Sequence, residues 1–377
     1  MPGRESLATL HWGEEDHLTV SMVDLTQLEF KNIIVRMPNW VGDLVMALPI
    51  LTDLRKAFPA ARLTAMCRHP MGELLQEFPD VDEVFSFTKT SRLIHRDEKK
   101  NIMQKLQAGQ YDLGVLLPNT VSSAWWFWQG GVTYRIGFDC AGRKVLLTHP
   151  VPYPTEDVGK KHLITIYKKV LAPLGLPISD TKPKLYLREE EVEHMRVILS
   201  RHGVRAHHKI IGINPGAAYG SAKCWLPERF RAVTTELLQD KEVIVVFFGD
   251  LTTAQLVKEI CQGLSPRVIN MAGLTSLREL ASLISLCRVL LTNDSGPMHI
   301  AGAFDTPVVA LFGSTSAIAT GPWHRGVVLR KQVSCSPCYK RVCPIDFRCM
   351  RQIQVQEVTD AIRGVLESQA TKLSVLP

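Results

Sequence analysis

The chain has 377 residues, 46% hydrophobic and 21% charged, enough apolar surface to bury more than one core. Its start, MPGRESLATLHWGEEDHLTV, is acidic and lacks the apolar stretch of an export signal, and no apolar run is long enough to span a bilayer, so the expected workplace is the cytoplasm. The balance of 44 basic against 37 acidic residues, a formal +7, suits an anionic partner, while the lack of zinc-finger, RRM or helix-turn-helix patterns sets nucleic acid aside.

Residues 1–28 read as an extension ahead of the first predicted strand, Ile33–Met37. There follows PNWVGDLVM, in which Leu44, Ala47, Leu48, Leu51 and Leu54 begin to recur at helical spacing. Gly42 and Asp43 thus sit where a strand hands over to a helix, predicted over Asp43–Ala57. Asp43 reads either as a helix cap or as a working carboxylate. Further strands are predicted at Leu63–Cys67, Val84–Phe87, Leu113–Leu117 and Arg135–Phe138, with a helix over Asn101–Ala108. Thr88–Lys105 carries Lys89, Arg92, His95, Arg96, Lys99, Lys100 and Lys105, and Arg135 and Arg143 follow. Such a patch suits an acidic saccharide, or is a solvated helix face. Trp125-Trp126-Phe127-Trp128 reads first as core packing and second as a contact with a bilayer interface. Two proline-rich stretches around a predicted helix, His162–Leu171, then look like a connection between domains spanning 29–175 and 176–354.

In the second half, strands are predicted at Ile210–Asn214, Val243–Phe248, Val268–Met271, Val289–Thr292 and Val308–Phe312. Helices are expected near Pro227–Gln239, Thr253–Gln262, Leu277–Ser285 and Pro297–Phe304. Short apolar strands alternating with amphipathic helices predict an α/β chain: two Rossmann-like domains with parallel sheets, facing a cleft at the carboxyl ends of their strands. The terminal segment, 355–377, reads as an amphipathic helix and tail across the domain junction.

LLTNDSGPMH is the most informative stretch. Gly296 permits close approach, Pro297 suits the first helical position, and the free amides there form a ready diphosphate site. Asp294 would accept hydrogen bonds from sugar hydroxyls; alternatively Asp294 or Ser295 caps the helix. INPGAAYGSAKCW places small residues, Gly216 and Ser221 among them, and Lys223 at another strand end, where backbone amides and a point charge would meet a phosphate. Neither GxxxxGK[ST] nor GxGxxG is present, and no DxD pattern is placed for a divalent ion. Asp250 ends the next strand and either suits ribose hydroxyls or is an ordinary helix cap; Thr275 opens a helix that could wall off a base. Cys335-x2-Cys338-x4-Cys343-x5-Cys349 has enough thiolates for zinc or an iron–sulfur cluster, with free thiols as the plainer reading.

These blocks resemble the bacterial ADP-heptose:lipopolysaccharide heptosyltransferases, glycosyltransferase family 9, and within them the heptosyltransferase II branch. The resemblance rests on PNWVGDLVMALPIL, PGAAYGSAKCWLPERF, NDSGPMHIAGAFDTPVVALFGSTS and CSPCYKRVCPIDFRCM, blocks spread over nearly the whole chain. It implies a GT-B fold and inverting, metal-independent transfer of heptose from ADP-heptose to the lipopolysaccharide inner core, with no cofactor. Asp43 then matches the general base and Lys223 the cation on the diphosphate. Asp294 matches the acid near the donor sugar, and Ser295, Gly296 and His299 match the phosphate-contacting turn. The helix dipole at Asp43 is expected to lower its pKa unless burial offsets it. The expected partners are an ADP-sugar donor and an anionic inner-core acceptor held by Arg92, Arg96, Arg135 and Arg143. Peripheral contact with the inner membrane completes the expectation. The alternatives are a GT-B transferase for another nucleotide sugar and a non-catalytic nucleotide-sugar-binding protein.

Overall fold

A computed structural model describes residues 23–88 and 96–373. The first lobe runs β1 (Asn32–Arg36), α1 (Val41–Ala57), β2 (Arg62–Arg68), β3 (Glu83–Phe87), α2 (Arg96–Ala108) and β4 (Leu113–Leu116). It continues with α3 (Val121–Gln129), β5 (Tyr134–Asp139), β6 (His149–Pro152) and α4 (Leu163–Lys168). After a connecting stretch come α5 (Glu189–Arg201), β7 (Lys209–Asn214), α6 (Pro227–Leu237), β8 (Val243–Phe247), α7 (Ala254–Cys261) and β9 (Val268–Asn270). Then follow α8 (Leu277–Ser285), β10 (Val289–Asn293), α9 (Gly296–Ala303), β11 (Val308–Phe312), α10 (Ala317–Thr320) and β12 (Gly326–Arg330). Two helices close the chain, α11 (Arg348–Arg351) and α12 (Val355–Leu373).

Each lobe holds a six-stranded sheet, ordered β3-β2-β1-β4-β5-β6 and β12-β11-β10-β7-β8-β9. Read from its other end, the second order repeats the first, and every pairing is parallel. Helices cover both faces, which is why β8, β10 and β11 are buried along their whole length; β8 and β11 read as unbroken apolar runs, and β10 as one up to its closing Thr292 and Asn293. The strand order reverses between β1 and β4 and again between β7 and β10. A crevice opens beyond the carboxyl ends of the strands at such switch points.

Two strands escape the sequence pattern, and both are edges. β6 is His-Pro-Val-Pro and pairs only with β5, so its prolines forfeit no ladder partner on the open side. β12 alternates exposed and half-buried residues. Helices α3 and α5 are likewise unpredicted.

The lobes meet where α1 and α9 begin. A Cβ on Gly42 would lie 2.6 Å from His299 Cδ2, and one on Gly296 would lie 2.9 Å from Val41 Cβ. The two glycines therefore let two helix starts touch across the cleft floor. On the opposite side Arg278 of α8 donates to the Glu73 carbonyl at 3.0 Å and pairs with Glu191, holding that carboxyl down at about 2. Contrary to expectation, α12 does not cross the junction; it packs on β10, β11, β12 and α6, burying Val358 and Ile362 in the second core. Residues 23–28 also belong to the first lobe rather than to a loose extension, since Leu25 is buried in its core and His149 Nε2 meets the Val23 carbonyl at 2.8 Å.

Candidate active site

Asp43 lies in the first turn of α1, beyond the carboxyl end of β1 at the switch point. The cap position belongs to Trp40, which makes no side-chain cap bond, so Asp43 is inside the helix and its carboxylate is not the cap. Its Oδ1 accepts a 2.9 Å hydrogen bond from Tyr167 Oη of α4. Burial raises the Asp43 pKa above the ordinary carboxylate value, against the lowering effects of Tyr167 and Lys223. The expected fall from the helix dipole is thus outweighed: taking a carboxylate out of water costs more than a half-charge at a helix end returns. Tyr167 is half-buried, and desolvation with the adjacent carboxylate lifts its phenol well above the usual range, so its hydroxyl stays a donor. Nothing in the sequence pairs Tyr167 with Asp43. The only signal was its position in the linker helix, and its partner lies 124 residues away.

From the second lobe, Lys223 and Asp294 are close enough to Asp43 to bias its charge. Lys223 Nζ donates to Asp294 Oδ2 at 2.6 Å, and Thr315 Oγ1 donates to the same oxygen at 2.6 Å. Asp294 is buried and uses that oxygen to anchor Lys223, a role the sequence reading did not assign. Lys223 Nζ also sits 4.9 Å from the centre of the Tyr219 ring. The turn ahead of α9 is held by a small polar web: Asn214 Nδ2 donates to Ser295 Oγ at 3.0 Å, and Thr292 Oγ1 meets Ser295 Oγ at 3.0 Å. Ser295 is the cap residue of α9 but makes no side-chain cap bond, which leaves the first amides of the helix without that partner. Asn293 ties the two loops together, accepting from Trp225 N at 3.0 Å and donating to the Pro215 carbonyl at 2.7 Å.

His299 stands one turn into α9, buried, stacked on Trp323 with ring centres 5.6 Å apart. Burial drives its pKa down to about 4, Asp294 opposing, so the ring is neutral near pH 7. It supports the Gly42 approach rather than offering a charge. Gly216 is buried, and its carbonyl accepts from Asn214 Nδ2 at 2.9 Å. Ser221 and Lys223 share a short helical turn braced by the cysteine-rich segment: Ala222 N donates to the Arg341 carbonyl at 3.0 Å. That bracing is the visible work of residues 335–349. Their four cysteines are free thiols, and among the described residues no group of three or more His, Cys, Asp or Glu is arranged to hold a metal.

Other sequence expectations move. Asp250 Oδ1 accepts from the amides of Thr252 and Thr253, both at 3.0 Å, so this oxygen caps the turn into α7. Thr275 is half-buried just ahead of the Ser276 cap of α8. Arg135 sits at the amino end of β5, away from the cleft, and donates to the carbonyls of Leu146 and Val132 at 2.8 and 2.6 Å. Arg143 is fully buried, with Nε on the Phe138 carbonyl at 2.9 Å and Nη2 on Asn119 Oδ1 at 3.2 Å. Arg143 is committed inside the fold and half-buried Arg135 to carbonyls away from the cleft, which leaves neither guanidinium placed for an acceptor in the cleft. Arg92 lies outside the described residues, as does the side chain of Arg96 at the start of α2.

A carboxylate from one lobe facing a lysine and a helix start from the other is an arrangement for group transfer from an anionic leaving group. The sequence pattern of glycosyltransferase family 9 (heptosyltransferase) matches residues 100–347. The chain belongs to glycosyltransferase family 9. Within the family its resemblance is to the heptosyltransferase II branch. It is 30% identical over 308 residues to lipooligosaccharide heptosyltransferase 2 of Haemophilus ducreyi, covering 79% of this chain and 87% of that one. Lipopolysaccharide heptosyltransferase 2 of Escherichia coli is 29% identical over 308 residues, with the same coverage of 79% and 87%. The solved E. coli ADP-heptose lipopolysaccharide heptosyltransferase II superposes with a TM-score of 0.76 at 26% identity, covering 90% of this chain and 99% of that one. This family 9 chain therefore has the GT-B architecture: two Rossmann-like lobes around a cleft.

Proposed function

We propose that this family 9 chain is an inverting heptosyltransferase that moves heptose from ADP-heptose onto the inner core of lipopolysaccharide, with Asp43 as general base. The observation that carries the reading is the half-buried Asp43 carboxylate, held by Tyr167 and close enough to the Lys223–Asp294 pair of the other lobe to feel its charges. In the step, Asp43 takes the proton of the acceptor hydroxyl as its oxygen attacks the anomeric carbon. The bond from that carbon to the diphosphate breaks on the opposite face, and ADP leaves with the electron pair. A raised pKa makes the Asp43 carboxylate a stronger base than that of an exposed aspartate. Lys223 and the first amides of α9 offset the charge that develops on ADP. This stabilisation requires no divalent ion. Asp294 keeps Lys223 aimed at the diphosphate, with its other oxygen left for a sugar hydroxyl. The names of the relatives support this donor and acceptor, and the cleft geometry supports this choice of base and anion site.

The test is transfer measured by product mass, with EDTA present, for wild type, Asp43→Asn and Asp43→Ala. Both variants should lose about 10²- to 10⁴-fold in turnover while retaining donor binding. Near wild-type turnover in Asp43→Asn would remove the base, and loss of wild-type turnover in EDTA would remove the metal-free leaving-group step.

A further inference from the structure

Helix α3, Val-Ser-Ser-Ala-Trp-Trp-Phe-Trp-Gln, divides its aromatic run between two environments. Ala124 and Phe127 are buried in the first core, and Trp126 packs edge-on against Phe87 with ring centres 5.4 Å apart. The opposite stripe faces solvent: Val121 is 46% exposed, Trp125 41% and Trp128 52%, at positions i, i+4 and i+7. Beside it, in a turn that packs on α3, Val145 is 88% exposed. Single exposed apolar residues are ordinary, but two indoles and two valines on one face are a patch that asks for a partner.

The charges around the patch select the partner. Helix α2 packs against α3 and presents Lys99, Lys100 and Lys105 to solvent, with Asp97 the exposed acid on the same helix. Lys144, 69% exposed, precedes Val145 and lies 3.9 Å from Asp139. Exposed indoles with exposed lysines on the adjoining helix and turn match the boundary of an anionic bilayer, where the rings sit at headgroup level and the ammonium groups meet phosphates. Thr120 caps the helix by accepting from Ser123 N, so the stripe is presented on a fixed element that begins at the carboxyl end of β4, on the cleft side.

We propose that this face of α3, with the Lys144–Val145 turn, docks the enzyme on an anionic phospholipid surface. The inference rests on the reading of the acceptor as a lipid-borne saccharide, since docking here brings the cleft to the membrane that carries it. Among the described residues no helix is long and apolar enough to cross a membrane, so the contact is peripheral.

The experiment is co-sedimentation with vesicles of phosphatidylglycerol and phosphatidylethanolamine that contain no saccharide. Wild type should bind at low salt and release as salt rises. The pair Trp125→Ser and Trp128→Ser should weaken partitioning about tenfold or more, from the indole area withdrawn. Val197→Ser, an exposed apolar change on α5, should not alter it. Thermal unfolding should match wild type, because both indoles lie outside the core. Failure of wild type to bind vesicles, equal binding by the double variant, or a wild-type oligomer that the double variant dissolves would overturn the proposal; the last would assign the face to a second copy. Transfer to a water-soluble acceptor fragment is measured separately, so loss of the heptosyltransferase reading and loss of the docking reading give different results.

Discussion

Replacing Tyr167 by phenylalanine removes one hydroxyl and leaves the ring's packing almost unchanged. That hydroxyl donates at 2.9 Å to Asp43 Oδ1 in a partly buried bond. It favours the ionised carboxylate, and it opposes the burial that raises the Asp43 pKa. A hydrogen bond to a charged group contributes about 1.5–3 kcal/mol, large enough to move a titration measurably. The sign follows directly. The base works only when ionised, so activity is lost as pH falls through its pKa. Without Tyr167 that pKa climbs further, and the acidic limb of kcat/KM moves to higher pH. The plateau above the limb should stay within a few-fold of wild type, because the carboxylate is still present. A pH profile of initial rates measures both quantities. A limb that stays in place, or moves to lower pH, refutes the view that Tyr167 holds Asp43 in its charged form.

Four other outcomes are expected. Lys223→Met should cost about 3 kcal/mol or more in urea unfolding, because it strands the buried Asp294 carboxylate, and Lys223→Met with Asp294→Asn should recover most of that loss while donor affinity stays low. Gly42→Ala should cost about 1–3 kcal/mol and slow transfer, since the new methyl meets the His299 ring, itself held by Trp323; an unchanged Tm would contradict the close approach. His299 has its pKa depressed to about 4, so the unfolded chain binds more protons than the native one between about pH 4 and the ordinary histidine value of about 6.5; stability should fall as pH drops through that window, and His299→Gln should flatten the fall in urea midpoints. Arg143→Lys should destabilise the first lobe without a selective rise in KM for the acceptor, because the guanidinium serves the Phe138 carbonyl and Asn119.

Much of the frame was legible in the sequence because central parallel strands are buried on both faces. β8 and β11 had to be continuous apolar runs, and β1 and β10 apolar through Ile33–Val35 and Val289–Leu291, and the polar, glycine-bearing turns that follow them could only lie at the cleft. Asp43, Lys223 and the turn before α9 were found on that ground. The edges were not legible. β6 and β12 each have one strand partner, so prolines and alternation are tolerated there and no apolar run marks them. Nor could a residue's type give its partner: Arg135 and Arg143 had the charge for an acceptor site, yet the chain folds carbonyls onto both.

By itself, then, the sequence determined two α/β lobes, their cleft-facing turns and the chemical types available there, since these follow from local periodicity and turn chemistry. Only the tertiary structure decided that Tyr167 meets Asp43, that Asp294 anchors Lys223, and that burial lifts the Asp43 pKa against its helix dipole. Burial and pairing are sums over neighbours far apart along the chain, and the folded packing alone brings those neighbours together.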